Sequence, residues 1–323
     1  MTLPPWLAPS WRVLADAIGS GRVHHALLFA SPRGYGKRAL ADAFAAAVLC
    51  RQRNADGTAC GICRACVLVA AGSHPDLVRV TFEIRDDGRP RTELTVDQLR
   101  TLGQRLALAS QFGGWQIAII DPADAMNPNA ANALLKTLEE PSTNTVIALL
   151  ADDPSRLPPT IRSRCRKVDM PVPARAESVA WLTSRGMASD IAAQMLDVSM
   201  DNPGLAELWL ADGVLALWEH CGRDLALLGA GRESAAAIAD RWAADRPVLR
   251  LWFAGRLALD EARNITLGDD GPLGLTGRAE IPKLNAWFGR ANQARSLLAT
   301  PVRADLVLLD LLRGWPARST GML

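Results

Sequence analysis

The chain predicts a parallel α/β domain followed by an all-helical half. Three observations carry that expectation. Short, wholly apolar runs alternate with Ala- and Leu-rich stretches up to about residue 168, the pattern of strands and helices in turn. The first apolar run ends in a Gly-rich turn that leads straight into a helix-forming segment. Beyond residue 168 the strand-like runs stop, and Ala, Leu and Trp dominate.

Taken in order, Ala26–Ala30 reads as a buried strand that stops at Ser31-Pro32-Arg33-Gly34. Lys37–Cys50 has no internal Gly or Pro and reads as a helix. Asp76–Ile84 is strand-like, and the polar cluster Arg85–Arg91 after it predicts a solvated loop or hairpin tip. Thr95 is the expected N-cap of the next helix. Ile117–Asp121 is a second buried strand, ending on a carboxylate. Asn129–Glu140 is a helix stopped by Pro141, and Val146–Leu150 is a third strand. Met170-Pro171-Val172-Pro173 has the composition of a linker. Breaks are expected near Asp201–Gly204 and over Gly268–Pro282. The many Trp residues, Trp209, Trp218, Trp242 and Trp252 among them, are expected to pack helices together.

Composition bounds the function. At 323 residues the chain has room for two or three domains. Its 49% hydrophobic and 22% charged content excludes a disordered polymer. A net charge of +2 argues against coating nucleic acid by charge alone. The first residues show no basic stretch followed by an apolar one, and no apolar run reaches the ~18 residues of a membrane span. A cytoplasmic protein is expected, whose six cysteines serve metal or structure and not disulfides.

Four constellations bear chemistry. The first is Ser31-Pro32-Arg33-Gly34-Tyr35-Gly36-Lys37-Arg38, between a strand and a helix. A phosphate-binding loop needs glycines so that peptide N–H groups can curl around phosphates. It also needs a Lys for the terminal phosphates and a Ser or Thr for Mg²⁺. Gly34, Gly36 and Lys37 are present, but Ser31 replaces the first Gly and Arg38 the hydroxyl. A guanidinium cannot ligate a cation and competes with one. An ordinary strand–turn–helix is the plain alternative.

The second is Asp121, at the end of its strand, where a phosphate-loop motor orders Mg²⁺. The neighbouring Pro122 has no acid–base capacity where such motors place a Glu. Asp121 or Asp124 could instead cap a helix. The third is Cys50-x9-Cys60-x2-Cys63-x2-Cys66. Four thiols within so short a span can close a tetrahedral site with no open position, which makes a structural Zn²⁺ the first expectation. An iron–sulfur cluster or unmetallated thiols are the alternatives. His74 is a further candidate ligand, but four cysteines already complete the set. His24 and His25 lack paired ligand spacing and read as core or turn residues. The fourth constellation is Thr160-Ile161-Arg162-Ser163-Arg164-Cys165-Arg166, which alone reads as a solvated, Arg-rich loop.

The order of motifs carries more than each alone. Gly21-Arg22-Val23-His24-His25-Ala26-Leu27-Leu28 precedes the degenerate loop, and the cysteine cluster follows its helix. Then come Gly72-Ser73-His74-Pro75-Asp76, the helix Asn129-Ala130-Ala131-Asn132-Ala133-Leu134-Leu135-Lys136-Thr137-Leu138-Glu139-Glu140-Pro141, and Ser163-Arg164-Cys165. This order resembles the bacterial DNA polymerase III clamp loader, an assembly of AAA+ subunits, densely over residues 3–168 and more loosely beyond.

The resemblance implies a RecA-like AAA+ domain over 1–168 with a Cys₄ zinc module at 50–66. A helical lid over 169–210 and an all-helical collar domain over 211–323 follow. Within that family the missing catalytic elements, together with a lid that has no Arg near Asp201–Gly204, point to the stator and not to the tau/gamma motor. A stator of this family supplies an arginine finger in trans, a role that maps onto Arg164. Its implied partners are the tau/gamma motor subunits and the delta subunit in a hetero-pentamer. Through them it meets the sliding clamp and primer–template DNA, with no membrane. It is then a subunit of the DNA-directed DNA polymerase III holoenzyme, a nucleotidyltransferase complex, with no turnover of its own. Gly34, Gly36, Lys37 and Asp121 form a degenerate nucleotide site, where ATP binding stays open and hydrolysis is not expected. The competing readings are an autonomous AAA+ ATPase using Lys37 and Asp121, and a zinc-dependent DNA-binding module.

Overall fold

The fold was analysed in a computed structural model that describes residues 3–85, 87–269, 271, 273, 281–298 and 300–316. The chain divides into two compact units, Met1–Ala206 and Glu207–Leu323.

The first unit is built on five parallel strands: β1 (Ala26–Ala30), β2 (Leu77–Val80), β3 (Gln116–Ile120), β4 (Thr145–Ala151) and β5 (Arg166–Val168). Their order in the sheet is β2-β3-β4-β1-β5. Parallel strands need crossovers, which here put helices on both faces. Helix α1 (Ala8–Gly19) and α2 (Lys37–Leu49) cover one face, meeting Leu27 and Phe29 of β1 and Ile117 and Ile119 of β3. The short α3 (Arg64–Ala70) follows α2. Helices α4 (Val96–Leu106), α5 (Pro128–Glu139) and α6 (Pro159–Arg162) serve the other face, meeting Ala26 and Leu28 of β1 and Ala118 and Ile120 of β3. Alternate residues of one strand thus enter two cores, which is why the strands read as unbroken apolar runs. Burying each Leu, Ile or Phe contributes roughly 1.5–3 kcal/mol.

Local signals set the boundaries. Thr95 and Gln98 form a reciprocal capping box at the start of α4. Asn127, and neither Asp121 nor Asp124, caps α5 through its side chain. β2 is shorter than the strand expected over 76–84. Past Val80 the chain leaves the sheet, and Ile84 meets Pro90 only in an isolated antiparallel bridge. The expected loop at 160–166 is instead the short α6 leading into the edge strand β5. Helices α7 (Arg175–Ser184) and α8 (Ser189–Ser199) complete this unit.

The break expected near 201–204 contracts to Met200–Asn202, where Met200 and Asp201 take left-handed backbone, because Pro203 opens α9 (Pro203–Ala211). The second unit comprises α10 (Val214–Gly229), α11 (Ala235–Ala244), α12 (Pro247–Leu267), α13 (Ile281–Leu297) and α14 (Ala304–Arg313). Trp242 and Trp287 are wholly buried in it, and Trp209, Trp218 and Trp252 meet Phe253 edge-on. The break expected over 268–282 lies mostly outside the described residues, and α13 takes Pro282 into its first turn. Among the described residues no helix is long and apolar enough to cross a membrane.

Candidate functional site: a degenerate phosphate loop, an Arg–Glu pair and a cysteine cluster

The loop 31–36 leaves the carboxyl end of β1 and turns into α2. Gly34 and Gly36 have φ of +101° and +91°, conformations that L side chains rarely adopt. Gly34 is also crowded from outside. A side chain there would strike Asn202, whose Nδ2 donates to the Arg33 carbonyl at 2.7 Å. Gly204 lies so close that a methyl on it would strike the Gly34 carbonyl. Leu7 crowds any side chain at Gly36, and Trp6 donates to the Tyr35 carbonyl at 3.0 Å. Segments at 4–7 and 202–204 therefore both pack on the loop.

The two cations of this site already have partners within the chain. Lys37 is 2% exposed, and its Nζ donates to the Ser31 carbonyl at 2.7 Å and to the Asp152 carboxylate. Burial pulls its pKa below the ordinary lysine value, with Asp152 opposing that shift. Arg38 grips Asp121 with two donors, Nε at 2.5 Å and Nη2 at 2.8 Å. The carboxylate at the end of β3 thus faces a guanidinium from the position where a phosphate-loop motor carries its metal-binding hydroxyl. Asp124, the alternative acid, accepts the Asp153 N–H at 2.9 Å.

Arg164 sits between α6 and β5, on a separate surface. Its Nη2 pairs with Glu139 at 2.6 Å, and its Nη1 donates to the Thr160 carbonyl at 2.9 Å. Its side chain stays 37% exposed. The Leu-Glu-Glu-Pro end of α5 and the Ser-Arg-Cys segment, far apart in sequence, therefore meet through this ion pair.

The third feature is the cluster Cys50, Cys60, Cys63 and Cys66. Cys50 ends α2, Cys63 opens α3 and Cys66 lies within it. The four Sγ atoms lie within 4.8 Å of one another. The separations are 4.0 Å for Cys50–Cys63, 3.9 Å for Cys60–Cys66 and 3.5 Å for Cys63–Cys66. Sulfurs at about 2.3 Å from a common tetrahedral centre are about 3.8 Å apart, so the cage fits a metal of zinc size. Peptide N–H groups of Cys60 and Cys63 donate to Cys50 Sγ and Cys60 Sγ at 3.3 and 3.4 Å, which favours thiolates. The N–H groups of Cys66 and Arg51 bring the Cys63 thiol down to about 6, whereas burial pushes Cys66 up. No disulfide forms.

His74 takes no part in the cage. Its Nδ1 accepts the Asp76 N–H at 3.1 Å, and its ring packs on Phe112. His24 and His25 stack on each other, and His24 Nδ1 lies 2.8 Å from the Ala26 carbonyl, as turn residues do. Sequence reasoning missed Asp152, Asn202 and Glu139. Asp152 carried a readable signal, an acid just past a buried strand. Asn202 and Glu139 carried none, because only the fold brings them to their partners.

A parallel sheet with a Gly-rich strand-to-helix turn at one strand's end, followed by helical segments, defines the class as an α/β domain with the architecture of a phosphate-loop protein. Residues 7–174 match the family described as "DNA polymerase III, delta subunit". DNA polymerase III subunit delta' of Pseudomonas aeruginosa is 37% identical over 298 residues, spanning 91% of this chain and 87% of that one. The chain belongs to the delta' family of DNA polymerase III subunits. DNA polymerase III subunit tau of Escherichia coli is 36% identical over 152 residues, 47% of this chain and 22% of tau. A DNA polymerase III gamma subunit-related protein from Thermotoga maritima shares the fold, with a TM-score of 0.50 at 17% identity over 94% of this chain and 97% of that one.

Proposed function

We propose that this chain is the stator of a DNA polymerase III clamp loader, a cytoplasmic subunit that helps place the sliding clamp on primed DNA without turning over ATP itself. The observation that carries this reading is the Arg38–Asp121 pair. An Mg²⁺-dependent phosphoryl transfer needs that carboxylate on the metal, with a hydroxyl beside it and a base next to it. Here the carboxylate holds a guanidinium, the hydroxyl is gone and Pro122 stands in place of the base. Lys37 is bound to Asp152, so a nucleotide phosphate would have to displace that acid.

Arg164 is the finger. It is partly exposed, its guanidinium rests on Glu139 and the Thr160 carbonyl, and it leaves Glu139 to reach the ATP of a neighbouring tau/gamma motor. A guanidinium at a γ-phosphate stabilises transition-state charge and is worth about 10³–10⁵ in rate. Cys50, Cys60, Cys63 and Cys66 hold a structural Zn²⁺ that leaves no open position for chemistry. Residues 1–168 act as the RecA-like AAA+ domain, 169–210 as the lid and 211–323 as the collar domain. That collar joins the tau/gamma and delta subunits in a hetero-pentamer, which carries the sliding clamp and primer–template DNA.

The test is Mg²⁺-ATP turnover by the chain alone, then with motor subunits and primed DNA. No turnover alone, with an Arg164-dependent rise in the assembled complex, supports the stator. Turnover by the isolated chain that Lys37→Ala abolishes would make it a motor. Equal complex rates with Arg164→Ala would remove the finger.

A further inference from the structure

We propose that the four-cysteine module carries a docking surface for an acidic, apolar-tipped segment of a partner protein. Three guanidiniums gather around Phe112. The guanidinium carbons of Arg51 and Arg64 lie 5.8 and 5.6 Å from the centre of its ring. Arg51 also donates to the Phe112 carbonyl at 2.9 Å. A third guanidinium, Arg105, donates to the carbonyl of Pro75, next to the His74 ring that packs on the same Phe112.

None of the three arginines pairs with a carboxylate among the described residues. Acids near them in sequence are engaged elsewhere, Asp97 with Arg100. Asp56 accepts the N–H and hydroxyl of Thr58. Asp76 is buried and accepts the Ser110 hydroxyl and the N–H groups of Gln111 and Phe112. Some other exposed arginines of this chain do hold acids, Arg79 with Asp42 and Arg175 with Asp197 and Asp201 among them. Cations gathered without counter-charge repel each other, and an incoming carboxylate relieves that repulsion with charge-assisted hydrogen bonds.

The apolar argument is separate. Ile62, between Cys60 and Cys63, is 82% exposed, and Val67 on α3 is 54% exposed. Arg64 and Val67 are three residues apart on one helix, so they share a face. A metal-closed knuckle holds these groups in place before binding, which lowers the entropic cost of docking. Nucleic acid suits the surface less well. Three guanidiniums and a net charge of +2 offer little counterion release, and phosphates make no use of an aliphatic tip. An acidic segment with aliphatic side chains uses both halves.

The test measures fluorescence anisotropy of a short labelled peptide of alternating Asp and Leu with the full-length chain. A Ser–Leu peptide is the control and an oligo-dT strand the competitor. The acidic peptide is expected to bind saturably, with the control about tenfold weaker. The double variant Arg51→Gln/Arg64→Gln is expected to weaken the acidic peptide about tenfold. Because those residues neighbour the cysteines, Ile62→Ser/Val67→Ser provides an independent arm. It should also weaken binding with metal content unchanged. Absence of saturable binding, equal affinity for the Ser–Leu peptide, or indifference to both double variants overturns the proposal. Oligo-dT binding as tightly and displacing the peptide also overturns it, and assigns the surface to nucleic acid.

Discussion

At position 38 the choice between hydroxyl and guanidinium decides what Asp121 can hold. Arg38 and Asp121 are 44% and 22% exposed, so solvent screens their attraction and the pair contributes about 1 kcal/mol or less. Its importance is therefore chemical and not structural. Arg38→Thr should shift the urea midpoint little, while Mg²⁺-ATP turnover by the isolated chain stays at background because Pro122 still supplies no base. Turnover rising above background would show that Arg38 alone silences the site.

Gly204 offers a contest of magnitudes at the same scale. It lies in the first turn of α9, where helix propensity favours Ala by up to about 1 kcal/mol. The added methyl, however, would overlap the Gly34 backbone carbonyl, an atom that cannot swing aside. Overpacking of that kind costs about 1–3 kcal/mol, so Gly204→Ala should lower stability in chemical denaturation. A rise in stability would mean the loop yields freely.

Among the elements, the cysteine module has the least packing of its own. It lacks a regular element from Cys50 to Cys63 and has few buried residues of its own, Ala65, Cys50 and Cys66 excepted. Purification without chelator should yield about one metal per chain. Stripping it should expose residues 50–66 to fast amide exchange while the sheet stays protected. Protection of 50–66 unchanged by metal removal would mean the module packs without it.

The junction of α11 and α12 depends on charge in another way. Arg250 is almost wholly buried and donates through Nη2 to Asp245 at 2.8 Å and through Nε to the Asp245 carbonyl at 2.8 Å. That cation holds the Asp245 carboxyl below its usual 3.8. A carboxyl depressed in the folded state stabilises above the unfolded value, and that stabilisation is lost as pH falls through the folded one. Asp245→Asn should therefore flatten this part of the acid limb and, by leaving Arg250 less compensated, cost about 1–3 kcal/mol near neutral pH. An acid limb identical to that of the unaltered chain would argue that the carboxylate adds nothing.

For the whole molecule, the state of the phosphate loop sets the response to nucleotide. Lys37 is engaged by Asp152, and Asn202 and Gly204 crowd Gly34. A ligand present at a hundred times its Kd would add about 2.7 kcal/mol to stability. Millimolar Mg²⁺-ATP is expected to leave the Tm of this chain unmoved, and a rise would show that phosphates do displace Asp152.

The division between what was legible and what was not follows sequence distance. Strands β1, β3 and β4 could be read within a residue or so, because a strand covered on both faces must be apolar throughout. The Thr95 cap, the proline-stopped α5 and the close-set cysteines are likewise local patterns with local causes. Family membership also lay in the sequence, since it is carried by the order of short motifs. Long-range charge and hydrogen-bond partners were not legible. Lys37 and Asp152 are separated by 115 positions, and Asn202 and Arg33 by 169. No periodicity or propensity links such pairs. Only the sheet, by bringing its strand ends to one rim, decides which acid meets which base. So the amino-acid order by itself determined the layers, the caps and the spacing of the four cysteines. The tertiary structure alone decided that Asp121 holds a guanidinium and that Glu139 holds Arg164.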